Sequence, residues 1–202
     1  MSSVLIVPGL GGSGPGHWQN WWLRSDPAAV LVEQASWRHP ALDQWTERLV
    51  EAVEAHPYAW IVAHSLGVAL VTRLAATRLD LRIAGALLVA PADVERMDDL
   101  SEELRGFGPL SLAPLPFPAT VVASRTDKWM QFRRARSFAN AWGTKLVDYG
   151  DAGHINVASG FGPWHDGPRL LAEVQARSSR PPTIIHLRPR PRDGTGRRWT
   201  QH

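Results

Sequence analysis

The chain has 202 residues, 44% of them apolar, with no cysteine and a net charge of +3. That length fits one domain with a real core, and the missing cysteine excludes disulfides, thiolate metal sites and a thiol nucleophile. No apolar run approaches the roughly 18 residues of a membrane span, and the first residues lack a signal peptide's basic and apolar segments, so cytoplasmic location is the default expectation.

Val4-Leu5-Ile6-Val7 predicts the first strand. A loop rich in glycine follows (Gly9, Gly11, Gly12, Gly14, Gly16), and Ala29-Val30-Leu31-Val32 predicts a second strand. Residues 41–55 have helical spacing at Leu42, Trp45, Leu49 and Val53, stopped by Pro57. Trp60-Ile61-Val62-Ala63 predicts a third strand, with a helix over 66–79 directly behind it. Residues 83–89 predict a fourth strand closed by Pro91, and the proline-rich stretch 92–118 reads as irregular. A strand over 119–123, a helix over 132–142, a short strand over 145–147 and a final helix over 168–176 complete the body. Such alternation predicts an α/β domain over 1–176, a doubly wound, mostly parallel sheet of about six strands.

Residues 177–202 differ in kind. They hold seven of the basic residues and one acidic one, so this segment carries +6 and the body −3. Its Pro and Arg content, as in Arg188-Pro189-Arg190-Pro191-Arg192, predicts a disordered tail, with contact to nucleic acid or another polyanion as the lesser alternative.

Three strand-end loops carry candidate chemistry. Ala63-His64-Ser65-Leu66-Gly67 joins a strand to a helix as a nucleophile elbow, where the turn demands small residues two before and two after the serine. The plainer reading makes Ser65 an N-cap. A serine hydroxyl needs a histidine base held in one tautomer by a carboxylate. Asp127 follows the fifth strand and His154 the sixth, in the order serine, acid, histidine. Asp93, after the fourth strand, is the rival acid. Asp151 lies only three residues before His154, too local to reach its ring correctly. The first glycine loop would supply an oxyanion donor from Leu10, ahead of Gly11, to act with the N–H of Leu66. Gly11, His17, Trp18, Trp129 and Trp164 are candidate pocket residues.

A competing reading takes Gly9, Gly11 and Gly14 as a dinucleotide fingerprint with Glu33 as the ribose acid, which would make this an NAD(P)-binding protein. Pro15-Gly16 interrupt the helix that fingerprint requires, and it leaves the Ser65, Asp127 and His154 loops unexplained. A non-catalytic interaction module on the same fold is the other alternative.

Taken together, Val7-Pro8-Gly9, His17-Trp18, the Ser65 elbow, Val89-Ala90-Pro91, Asp127-Lys128-Trp129, Gly153-His154-Ile155-Asn156 and the run from Gly160 to Gly167 make the chain resemble the serine hydrolases grouped around retinoblastoma-binding protein nine. The likeness covers about residues 3–176. It implies a minimal α/β-hydrolase without a large cap and general serine hydrolase activity. Small acyl substrates are expected, with esters and amides not separated, and no metal or organic cofactor is implied. The LxCxE-type element linked to retinoblastoma binding has no place in a chain without cysteine, and the arginine-rich tail has no counterpart in the pattern.

Overall fold

The computed structural model describes residues 2–96 and 101–178. Six strands form one parallel sheet: β1 (Val4–Val7), β2 (Ala29–Leu31), β3 (Ala59–His64), β4 (Ile83–Val89), β5 (Ala119–Ala123) and β6 (Lys145–Asp148), in the order β2-β1-β3-β4-β5-β6. The central strands are almost continuously buried, whereas β2 and β6 at the edges are half-exposed. Burial on both faces is why β1, β4 and β5 read as unbroken apolar runs rather than as alternation.

Helices α1 (Trp18–Ser25), α2 (Leu42–Ala55), α3 (Leu66–Thr77), α4 (Glu102–Arg105), α5 (Phe132–Ala141) and α6 (Asp166–Ser178) complete the order. One face of the sheet takes α2, α3 and α5 through Trp45, Leu49, Leu70, Leu74 and Phe138. The other takes α1 and α6 through Trp18, Trp22, Leu170 and Leu171. In α2 the buried positions Trp45, Leu49 and Val53 recur every four residues, so a single stripe meets the sheet. Helix α3 lies over the sheet centre and is buried on most of its surface.

Besides a 3-10 turn over Val157–Ser159, two elements were not expected from the sequence. Helix α1 occupies part of the loop between the first two strands, and α4 forms a single turn within the stretch read as irregular. Helix α6 also runs past the expected end of the body. Arg177 belongs to it, donating to the Ala119 carbonyl at 3.1 Å and to Thr120 Oγ1 at 2.8 Å. The rest of the arginine-rich segment, from residue 179, lies outside the described residues. No helix among the described residues is long and apolar enough to cross a membrane.

From β1 the chain steps outward to β2, then returns to the far side of β1 as β3. That reversal opens a crevice beyond the carboxyl ends of β1 and β3. Ser65 and the first glycine loop sit on its two sides.

Candidate active site

Ser65 occupies the bend between β3 and α3 with φ 56° and ψ −121°, a conformation that side-chain-bearing residues rarely adopt. Its side chain makes no capping bond to α3. The hydroxyl turns instead to His154, with Oγ 2.8 Å from Nε2. The elbow's small residue at +2 has a direct steric cause: a Cβ on Gly67 would lie 2.5 Å from the Val7 carbonyl oxygen and 2.6 Å from that of Pro8. Gly9 is constrained from the other side, because its Cβ would come within 2.7 Å of Ser65 Cβ and 3.1 Å of Leu66 N. The two loops therefore touch through backbone, which brings the start of the glycine loop beside the amino end of α3.

His154 Nδ1 lies 2.9 Å from both carboxylate oxygens of Asp127. With a carboxylate on Nδ1, the ring carries its proton there and presents Nε2 to Ser65 as an acceptor. Asp127 Oδ1 also accepts the Trp129 N–H at 2.8 Å, and its side chain is 2% exposed.

The His154 loop is tied down on all sides. His64 Nε2 donates to the His154 carbonyl at 3.0 Å, and Trp18 Nε1 donates to the Ile155 carbonyl at 2.8 Å. Ser124 Oγ and Thr126 Oγ1 accept the N–H groups of Ala152 and Gly153, while Ser159 Oγ accepts that of His154. Gly153 has φ +54° and no room for a side chain, since a Cβ would sit 2.4 Å from Ser159 Oγ. Ile155 holds a positive φ of 47° under the Trp18 bond. His64 itself is fully enclosed, and desolvation, aided by the nearby His154 and His17, holds it well below the usual histidine pKa. It stays neutral, with its proton on Nε2, the nitrogen that faces the carbonyl.

Asp93, the rival acid, is occupied elsewhere. Arg134 forks onto it through Nε and through Nη2 at 2.9 Å, and the same Nη2 reaches Glu95 at 2.9 Å. The structure therefore brings Asp127, and not Asp93, to His154.

Leu66 opens α3, so its N–H is one that the helix cannot pair. Among the described residues the Leu10 N–H has no protein acceptor, and Leu10 is 43% exposed at the cleft rim. Gly11 faces away: its N–H bonds the Trp37 carbonyl at 2.8 Å, and Gly12, not Gly11, lines the cleft. The cleft encloses about 180 Å³ between Leu10, His17, Leu66, Ala92, Val94, Leu104 and Trp129, with Ser65 and His154 opening onto it.

Of the tryptophans expected at the pocket, only Trp129 lines it. Trp18 and Trp164 are core instead, 1% and 4% exposed, packed edge to face at 5.0 Å beneath the loops. Their indole N–H groups serve Ile155 and Tyr149, which is why such large rings are tolerated at depth. The dinucleotide reading finds no support in the glycine loop. Helix α1 begins at Trp18, beyond Gly14, and a Cβ on Gly14 would meet nothing within 4 Å, so no close packing requires glycine there.

A parallel sheet in this order, with a serine elbow after its central strand, defines the α/β-hydrolase class. A family profile of serine hydrolases matches residues 4–173, and the chain belongs to that family. The fold superposes on a YdeN-like hydrolase from Pectobacterium atrosepticum with TM-score 0.78 and 33% identity, covering 88% of this chain and 92% of that one. The ydeN gene product of Bacillus subtilis superposes with TM-score 0.72 at 22% identity, over 87% and 100% of the two chains. Est1E of Butyrivibrio proteoclasticus, solved with ferulic acid bound, shares the fold with TM-score 0.64 at 13% identity, over 88% of each chain. No curated protein matches the sequence. The protein is a hydrolase.

Proposed function

We propose that this hydrolase cleaves small acyl esters through Ser65 as nucleophile, His154 as general base and Asp127 as the orienting acid. The observation that carries the reading is the unbroken chain from Asp127 through His154 to Ser65, at 2.9 and 2.8 Å. Ser65 Oγ attacks the acyl carbonyl as its proton passes to His154 Nε2. Asp127 stabilises the imidazolium that forms. The tetrahedral oxyanion is received by the N–H groups of Leu66 and Leu10, which the fold leaves open at the cleft. His154 then protonates the leaving alcohol, and water, activated by the same base, releases the acid and restores Ser65.

Small substrates follow from the cleft. Its 180 Å³ is of the order of a cavity of about 150 Å³ that accepts a benzene-sized group, and apolar side chains form most of its wall. Ser65→Ala is expected to keep the melting temperature within a few degrees and to reduce hydrolysis of 4-nitrophenyl butyrate by several orders of magnitude. Undiminished turnover by a folded Ser65→Ala protein would refute the proposal.

A further inference from the structure

His17 has no part in the chain from Asp127 to Ser65, yet it is a polar side chain only 6% exposed that lines the same cleft. It is the N-cap of α1, where its Nδ1 accepts the Gln19 N–H at 3.2 Å. A ring nitrogen that accepts a backbone N–H carries no proton, so in the neutral ring the proton sits on Nε2. Burial, with a lesser push from His154, lowers the His17 pKa to about 4, so the ring is neutral at ordinary pH. The ring is wedged between Trp18, with centroids 5.3 Å apart, and His64 at 5.0 Å. Its other ring nitrogen, Nε2, makes no hydrogen bond to another described residue, and the ring lines the cleft. A donor on a largely buried ring that opens on a cleft is satisfied only by what enters that cleft, water or a substrate acceptor.

Two clefts meet at Trp129, His154 and Asn156. The one holding His17 also holds Ser65, Leu10 and Leu66, where the acyl carbon and its oxyanion belong. The other shares Trp129, His154 and Asn156 with the first, adds Lys128, Gly153, Ala158 and Ser159, and includes neither Ser65 nor His17. In the proposed reaction His154 protonates the leaving group; a leaving group that departs past His154 into the second cleft leaves the acyl chain in the first, beside His17.

We propose that His17 Nε2–H is a specificity-determining donor for an acceptor oxygen within the acyl chain, so that the preferred acyl group is oxygenated (an ether, keto or hydroxy acid) rather than plain alkyl. This rests on the assignment of Ser65, His154 and Asp127 above. A site built around a buried donor discriminates strongly against an analogue that lacks the matching acceptor.

Two variants separate the ring's roles. His17→Asn keeps an oxygen able to cap α1 and removes the distal donor. His17→Gln extends an amide N–H toward the place of Nε2. The test measures kcat/KM of wild type and both variants on 4-nitrophenyl hexanoate and on the esters in which each inner chain methylene in turn is an ether oxygen. Taking each ester's ratio of wild type to variant cancels its intrinsic reactivity. At one ether position, His17→Asn is expected to lose at least about tenfold more than it loses on hexanoate, and His17→Gln to recover most of that difference. An equal loss on every ester, no loss on any, or ether esters that the wild type does not turn over would each overturn the proposal. Fluorophosphonate labelling of Ser65, run on the same three proteins, keeps the two readings apart. A flat ether series with Ser65 labelled removes the role of His17 alone, whereas a wild type that neither labels at Ser65 nor turns over hexanoate removes the hydrolytic assignment beneath it.

Discussion

The loops after β4 and β5 begin alike and end differently. Each leaves the carboxyl end of a buried strand, and each carries an aspartate within a few residues. Asp93 in the first is held by Arg134 from α5 and, through its N–H, donates to the Trp129 carbonyl at 2.8 Å, so it stitches the two loops together. Asp127 in the second is held by His154, whose other ring nitrogen faces Ser65. One loop is fixed by a guanidinium, the other by an imidazole. Position at a strand end makes a carboxylate available for chemistry. Its partner decides whether it takes part.

The largest expected effect breaks the second partnership. Asp127→Asn keeps the shape of the site but favours the wrong histidine tautomer, and steady-state ester hydrolysis should show kcat falling by up to about 10⁴-fold. Breaking the first partnership should act on stability rather than chemistry. Arg134→Met leaves the buried Asp93 carboxylate unpaired, and denaturant titration should show a loss of about 3 kcal/mol.

Acid should act without mutation on the two buried imidazoles beside the site, His17 and His64. The unfolded chain protonates His17 near pH 6.5, whereas the folded chain does so only near pH 4. Between those values the unfolded state binds more protons, so stability is greatest above pH 6.5 and falls as pH is lowered. From His17 alone the loss between pH 7 and pH 5 is about 2 kcal/mol, and His64 adds to it with the same sign. Melting curves across that range check the slope, which His17→Asn should flatten. The smallest effect belongs to Asp93→Asn. With no role in orienting His154, it should change kcat by less than about tenfold, and a larger fall than that of Asp127→Asn would reverse the assignment.

Much of this was legible in the sequence for a physical reason. Strands buried on both faces are written as aliphatic runs, and the strands over 4–7, 83–89 and 119–123 have the bounds the sequence predicts. Sharp turns demand small residues, so Ala63 and Gly67 marked the elbow. What could not be read depends on partners distant in the chain. Arg134 is 41 residues from Asp93, and the His64 ring meets the His154 carbonyl 90 residues away. Helix α1 escaped notice because it is only eight residues long, is capped by a histidine rather than a common cap residue, and follows Pro15-Gly16. The sequence places Trp18 and Trp164 at the pocket because motif residues adjoin them. In the fold His17 faces the cleft while Trp18, next to it in the helix start, turns into the core.

The site at which a covalent probe attaches tests the role of Ser65 most directly. Treating the full chain with a fluorophosphonate, then measuring intact mass and mapping peptides, should give one adduct on Ser65, retained in Asp93→Asn and absent from Ser65→Ala. Labelling that persists in a folded Ser65→Ala protein, or an adduct mapped to another residue of the wild type, would contradict it.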